Sequence, residues 1–131
     1  MRRRSRRADQ SGVATTELVI AAPVLFAMLL FIISFGVVYH ANHVALAAAE
    51  EGARAARARS GSQAAGQARA ERFLRDLGGR LIRDPRVSVS RTLDTARVEV
   101  TGRVDTPLPG LVVRIRQVSE GPVERFRGAD Q

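Results

Sequence analysis

The most constraining feature of this sequence is an apolar run from Leu18 to Tyr39, which contains no charged residue and only Ser34 as a polar interruption. As an α-helix rising 1.5 Å per residue, the run would be about 33 Å long, enough to cross a hydrocarbon core of about 30 Å. A buried core helix is usually shorter and has a polar face, whereas this run is apolar all round. The run therefore predicts a transmembrane helix in a lipid bilayer, with a slight kink at Pro23.

The arginines on the two sides of this run are distributed unequally. Five arginines lie within the first seven residues, and none lies between His40 and Ala49. By the positive-inside rule, the N-terminus stays cytoplasmic and the remainder crosses outward. We therefore expect a single-pass protein of the cytoplasmic (inner) membrane with an extracytoplasmic C-terminal domain.

The formal net charge of +8 does not indicate a nucleic-acid partner. All 21 basic residues are arginine, and half of the net charge lies in the short N-terminal segment before the apolar run. The remaining charge is spread over the chain without a clustered stripe, and the sequence has no tryptophan and one tyrosine on which bases could stack. We expect no nucleic-acid binding.

Few residues could carry catalysis or hold a metal. The chain has no cysteine, which removes disulfides and thiolate ligands. His40 and His43 have a spacing that can bind metal, but no carboxylate or thiolate completes a site nearby. Ser88 and Ser90 have no histidine base near them in sequence, and no glycine loop that cradles phosphate is present. We expect no enzymatic activity, no cofactor and no metal.

The helical pattern continues beyond the apolar run, because Ala41 to Arg59 is rich in alanine, glutamate and arginine. One helix is predicted from about Val13 to Arg59, with Glu50 pairing with Arg54 four residues later. Small residues on this extension either let another helix approach closely or reflect helix propensity alone. This stripe comprises Val44, Ala48, Gly52, Ala55 and Ala56.

A second helix and three strands are predicted after the break at Ser60-Gly61-Ser62. The helix is predicted from Gln63 to Leu77, with its core-facing side chains at Ala64, Ala68, Phe73, Leu74 and Leu77. Alternating valines predict strands at Arg86 to Arg91, Ala96 to Val104 and Leu111 to Val118, separated by turns at Leu93 to Thr95 and Pro107 to Gly110.

The predicted fold class is α+β, with a long N-terminal transmembrane helix followed by a small domain of one helix and an antiparallel sheet. The organisation follows in four parts: a basic cytoplasmic leader at 1–12, the transmembrane helix and its extension at 13–59, the α+β domain at 60–119 and a flexible tail at 120–131.

The motif that carries a mechanism lies between the leader and the span. Gly12 is followed by Val13, and Glu17 directly precedes the apolar run. A carboxylate at the edge of a bilayer core suggests a function, although a glutamate at headgroup level costs little. A basic leader, Gly12 and a glutamate five residues later resemble the processing site of type IV prepilins. The resemblance implies that a prepilin peptidase cuts between Gly12 and Val13, and that Glu17 pairs with the new amine of Val13 on a neighbouring subunit.

The alanine-rich helix after the span indicates which family of pilin-like proteins the chain resembles. Glu51-Gly52-Ala53-Arg54-Ala55-Ala56, followed by a C-terminal domain of this size, is similar to the TadE-like proteins of tight-adherence (Flp) pilus systems. The resemblance covers the leader, the span and the helix to about Arg59. It implies a minor pilin or pseudopilin that takes part in assembling such a pilus or a related secretion apparatus, with the peptidase, other pilin-like subunits and tight-adherence machinery as partners.

Two other interpretations stay open at the level of sequence. Ala45-Leu46-Ala47 has the form of a signal-peptidase site, although the apolar run is longer than a signal peptide requires. Alternatively, the chain is an uncleaved, signal-anchored extracytoplasmic binding or structural protein unrelated to pili. These interpretations differ in the mature N-terminus, which would be Val13, Ala48 or Met1.

Overall fold

One helix dominates the molecule. The computed structural model describes residues 7–124, with side chains described from Glu17 onward. Helix α1 runs without interruption over Arg7–Arg57 and includes Pro23. The predicted single helix through the span and its extension is confirmed. The predicted flexible tail lies mostly outside the described residues.

A short second helix follows a tight turn. Helix α2 covers Gln63–Phe73 and continues as one π-helical turn over Leu74–Gly78. The Ser62 hydroxyl caps its start by accepting a hydrogen bond from the Ala65 amide at 3.0 Å. The chain then turns through Gly79, whose φ of 38° is in the left-handed region that favours glycine.

The three predicted strands form one antiparallel sheet. Strand β1 covers Arg83–Arg91, β2 covers Thr95–Asp105 and β3 covers Val112–Pro122. The order is β1-β2-β3, with both neighbouring pairs antiparallel. The α+β fold class is therefore confirmed, and β3 extends three residues beyond 119, where we had expected the domain to end.

The core lies between this sheet and the C-terminal part of α1. Val98, Val100 and Val104 on β2 are completely buried, as are the alanines of α1 that face them. The facing alanines include Ala41, Ala45, Ala48, Ala49 and Ala53. Since antiparallel sheets need only one covered face, the opposite face of this sheet stays in solvent. The extension of α1 is thus a stem on which the domain is built, and we call residues 40–57 the stem below.

Helix α2 packs against the stem at a point where two glycines meet. A Cβ added at Gly52 would lie 2.9 Å from the Gly66 carbonyl oxygen, and one added at Gly66 would lie 2.9 Å from the Gly52 carbonyl oxygen. The two backbones are therefore nearly in contact. The small-residue stripe does admit another helix, and that helix is the chain's own α2.

The predicted buried face of α2 was wrong at three positions. Ala64, Ala68 and Leu77 are exposed, and the buried residues are Gly66, Ala70, Leu74 and Gly78. The close approach to the stem selects the smallest side chains for the contact, so Gly66 and Ala70 face it. The wider π turn then places Gly78 rather than Leu77 on the buried side.

The predicted Glu50–Arg54 pair was also wrong. Glu51 makes this contact, with its carboxylate 3.1 Å from Arg54 and 3.1 Å from Arg69 of α2. Glu51 lies on the side of the stem next to α2, whereas Glu50 is exposed. The ion pair therefore joins the two helices rather than supporting one helix alone.

Candidate functional site

The apolar run is a helix without a protein partner along most of its length. Large side chains from Leu18 to Tyr39 are mostly exposed, for example Leu18 at 65% and Phe35 at 70%. In the most apolar 18-residue window of the helix only 6% of the residues are buried. An exposed apolar surface this large is not found on ordinary soluble monomers. Within residues 17–57, α1 is long and apolar enough to cross a membrane.

Aromatic side chains lie where the apolar run meets the stem. The Phe35 and Tyr39 rings stack with centroids 6.4 Å apart, and the Tyr39 and His43 rings meet edge to face at 4.4 Å. Amphipathic aromatic rings are enriched at membrane–water interfaces. Within the described part of the chain, no group of three or more histidine, cysteine or acidic side chains could hold a metal.

The residues predicted for processing and assembly lie at the other end of the span. Glu17 is exposed on α1 and directly precedes Leu18. Gly12 and Val13 belong to the backbone of α1, but their side chains lie outside the described residues. Because an α-helix has 3.6 residues per turn, Val13 lies about one turn before Glu17.

The sheet is joined to the stem by hydrogen bonds at both ends. Near the span, the Gln117 side-chain amide donates to Asn42 Oδ1 at 2.8 Å. At the far end, Arg91 Nε donates to the Ala56 carbonyl at 2.8 Å, and the Glu124 amide donates to the Arg57 carbonyl at 3.1 Å. The last two contacts use carbonyls that a helix leaves unpaired at its C-terminus. The domain is therefore held in one orientation relative to the span.

The loop between β2 and β3, residues 106–111, lies beside the span. An apolar groove of about 180 Å³ separates Leu108 and Leu111 of this loop from Phe31 and Phe35 of α1. Sequence reasoning treated this segment only as a turn. The available signal was its composition, since no charged residue occurs between Asp105 and Arg114.

The solvent face of the sheet carries arginines and acidic residues in pairs. Arg116 Nε lies 2.7 Å from Glu99 Oε1, and its second nitrogen lies 2.8 Å from Glu99 Oε2. These hydrogen bonds, together with the positive charges of Arg116 and Arg97, lower the pKa of the Glu99 carboxyl against a smaller opposing effect of desolvation. The face is therefore charged and water-compatible.

The fold and the span together define a class of protein: an α+β domain built on the extended C-terminal part of one N-terminal apolar helix. The model of the family described as TadE-like protein matches residues 12–54. The match runs from Gly12 through the apolar run to Arg54, so the resemblance to this family predicted from the sequence is confirmed over that segment. Comparisons with curated proteins and with solved structures found no match.

Proposed function

We propose that this chain is a membrane-anchored minor pilin or pseudopilin of a tight-adherence pilus or a related secretion apparatus. Its N-terminus is cytoplasmic, its α+β domain is extracytoplasmic and it lies in the inner membrane. A prepilin peptidase removes residues 1–12, and the mature chain assembles with other pilin-like subunits and the tight-adherence machinery. The chain itself is not an enzyme.

One observation carries this proposal. The TadE-like match spans residues 12–54, so it includes the proposed cleavage position, Glu17, the span and most of the stem. The same segment is a single helix whose apolar part is exposed. An exposed apolar helix with a charged group at its end suits lateral packing against similar helices in a bilayer.

Glu17 is proposed to set the register between subunits. An unpaired carboxylate among apolar helices is costly, and a neighbouring α-amine at Val13 would neutralise it. The amine exists only after cleavage, so processing and assembly are linked. Exposure of Glu17 in the single chain supports its availability for such a contact.

The first test is the N-terminal residue of the membrane-purified protein, measured by mass spectrometry in cells with and without the prepilin peptidase. We expect Val13 with the peptidase and Met1 without it. Gly12→Leu should block cleavage, because a bulky side chain hinders entry of an extended backbone into an enclosed site. The matched control is Gly36→Leu, since an added Cβ there meets no atom within 4 Å.

Other N-termini would contradict the proposal. Met1 in both strains would make the chain an uncleaved anchor, and Ala48 would make it a secreted domain.

The second test separates assembly from cleavage. Glu17→Ala should leave cleavage largely intact and reduce the crosslinking of the protein to neighbouring pilin-like subunits. Glu50→Ala removes an exposed carboxylate elsewhere on α1 and should change neither property. Unchanged crosslinking in Glu17→Ala would show that this carboxylate does not direct assembly.

A further inference from the structure

We propose that the β2–β3 loop inserts into the outer leaflet of the membrane and that arginines at the same end of the sheet bind anionic lipid headgroups. This second membrane contact rests on the proposed function, because it requires α1 to span the bilayer. It assigns a lipid-binding surface to the domain itself.

The first argument is position. The loop residues Leu108 and Leu111 share an apolar groove with Phe31 and Phe35, which belong to the apolar run. Phe31 lies eight residues before Tyr39, so the groove reaches about 12 Å below the C-terminal end of that run. When the run spans the bilayer, the loop is brought to the boundary between headgroups and acyl chains.

The second argument is surface chemistry. Leu111 and Val112 are 43% and 51% exposed, and the loop from Thr106 to Leu111 contains no charged side chain. Leu111 borders the groove against the span, and Val112 follows it as the first residue of β3. Apolar segments at membrane surfaces typically insert about 5–10 Å, somewhat less than the depth of about 12 Å that the groove reaches.

The third argument concerns backbone polarity, since an unpaired N–H group is costly in hydrocarbon. Pro107 and Pro109 have no N–H group. The Thr106 amide donates to the Leu111 carbonyl at 3.3 Å, and the Leu111 amide donates to the Leu108 carbonyl at 3.2 Å. The Thr106 hydroxyl also donates to the Leu111 carbonyl at 2.9 Å. Two of the four N–H groups of the loop are therefore paired within it, and its two prolines contribute none, which lowers the cost of placing the loop where there is little water.

The fourth argument is charge. A broad open depression on the solvent face of the sheet is lined by four arginines next to this loop: Arg86, Arg103, Arg114 and Arg116. Arg103 pairs with Asp84, and Arg116 pairs with Glu99. Among the described residues no carboxylate pairs with Arg86 or Arg114, so these two guanidinium groups are available to phosphate.

The heights of these arginines match the headgroup region. Arg103 and Arg114 are opposite each other on β2 and β3, only two residues from the last paired positions before the loop. Two residues of strand correspond to about 7 Å, so an inserted loop places these guanidinium groups among the phosphates. Long arginine side chains can also bend toward the headgroups while their stems lie on apolar surface.

The test uses the absence of tryptophan from this chain. Three variants each carry a single tryptophan. Leu111→Trp reports on the loop, Leu25→Trp on the span and Leu93→Trp on the far end of the sheet. Each full-length variant is reconstituted in nanodiscs containing lipids brominated on the acyl chains. Leu111→Trp, at an insertion of about 5–10 Å, should lose part of its emission to the bromines, and Leu25→Trp, within the apolar run, should lose at least as much. Leu93 is 81% exposed in the turn at the other end of the sheet. The tryptophan of Leu93→Trp should therefore lie in water and should not be quenched.

The outcomes separate this inference from the proposed function. Quenching at Leu25→Trp, without quenching at Leu111→Trp or at the adjoining first residue of β3 in Val112→Trp, would refute the loop insertion alone. Absence of quenching at Leu25→Trp as well would refute the membrane span on which both depend. Equal quenching at Leu93→Trp would show that the signal does not report depth.

The arginines are tested in the Leu111→Trp background. Brominated phosphatidylglycerol should quench more strongly than brominated phosphatidylcholine at the same mole fraction, and Arg86→Gln with Arg114→Gln should abolish this preference. The matched control is Arg54→Gln with Arg59→Gln, which removes the same charge at a height of about 20 Å or more above the span. An equal preference in both double variants would refute specific headgroup binding by Arg86 and Arg114.

Discussion

At the scale of single residues, glycine decides how closely the stem and α2 approach. At Gly52 and Gly66 the backbones of the two helices are nearly in contact. A Cβ added on either glycine would lie 2.9 Å from the carbonyl oxygen of the other. Gly36 belongs to the same long helix, but a Cβ added there meets no atom within 4 Å. Both Gly36 and Gly52 lie within α1, so helix propensity treats them alike and the packing distinguishes their roles.

We expect Gly52→Leu to destabilise the domain by about 1–3 kcal/mol, because the added side chain must force two backbones apart. Gly36→Leu should have little effect on domain stability, since its side chain would face lipid. Thermal unfolding of both variants in detergent micelles, followed by circular dichroism, measures the difference. Equal melting temperatures would mean that α2 can move away from the stem without a loss of stability.

At the scale of elements, the three strands combine a buried apolar face with a charged outer face. Val98 and Val100 point toward the stem, while Arg97 and Glu99 point to solvent. Arg97 also bridges two strands, since it lies 3.4 Å from Glu120 of β3 and 3.8 Å from Glu99 on its own strand. Exposed ion pairs of this kind contribute little individually, so the apolar face provides most of the stability of the sheet.

The Glu99 contact predicts a small pH dependence. Its lowered pKa means that the folded state binds a proton less readily than the unfolded state, where the ordinary value is about 4.5. The stabilisation is therefore present above about pH 4.5 and is lost as the pH falls through the lowered folded value. In thermal melts, the melting temperature of Glu99→Gln should decrease less steeply below pH 4.5 than that of the parent protein. The melting temperature of Glu50→Gln, a change at an exposed stem position, should decrease with pH as steeply as that of the parent protein.

At the scale of the whole molecule, the long apolar helix and the domain are one continuous structure. The buried residues of the core cluster begin at Ala41 and end at Ile115. The stem, predicted from sequence as an extension of the span, supplies the alanine face on which the sheet packs. The folding unit therefore includes the stem as well as α2 and the sheet, which ends at Pro122.

Two truncated chains test this arrangement. A chain of residues 37–131 retains all the fully buried core residues and should unfold cooperatively in water. A chain of residues 63–131 lacks the stem and should show no cooperative transition, because an 11-residue helix and an uncovered sheet cannot form a core. Circular dichroism melts compare them. A cooperative transition in the shorter chain would show that the stem is dispensable for folding.

Local patterns in the sequence determined much of this protein. The apolar run predicted the span, alternating valines predicted the three strands, and turn residues predicted the breaks between them. The long helix, the strands and the breaks are confirmed because each depends on neighbouring residues along the chain, and the crossing of a membrane stays a prediction. The spacing of Gly12, Val13 and Glu17 suggested the family, and the match over residues 12–54 agrees with it.

Tertiary structure decided the contacts between distant segments. The sequence could not show that Gly66 rather than Ala64 faces the stem, or that Glu51 rather than Glu50 joins the two helices. Both outcomes depend on how α2 folds back on α1, which brings residues such as Glu51 and Arg69 together. The position of the 106–111 loop beside Phe31 likewise follows from packing the whole sheet on the stem. Periodicity identifies each element, but only the close packing of all of them determines which faces meet.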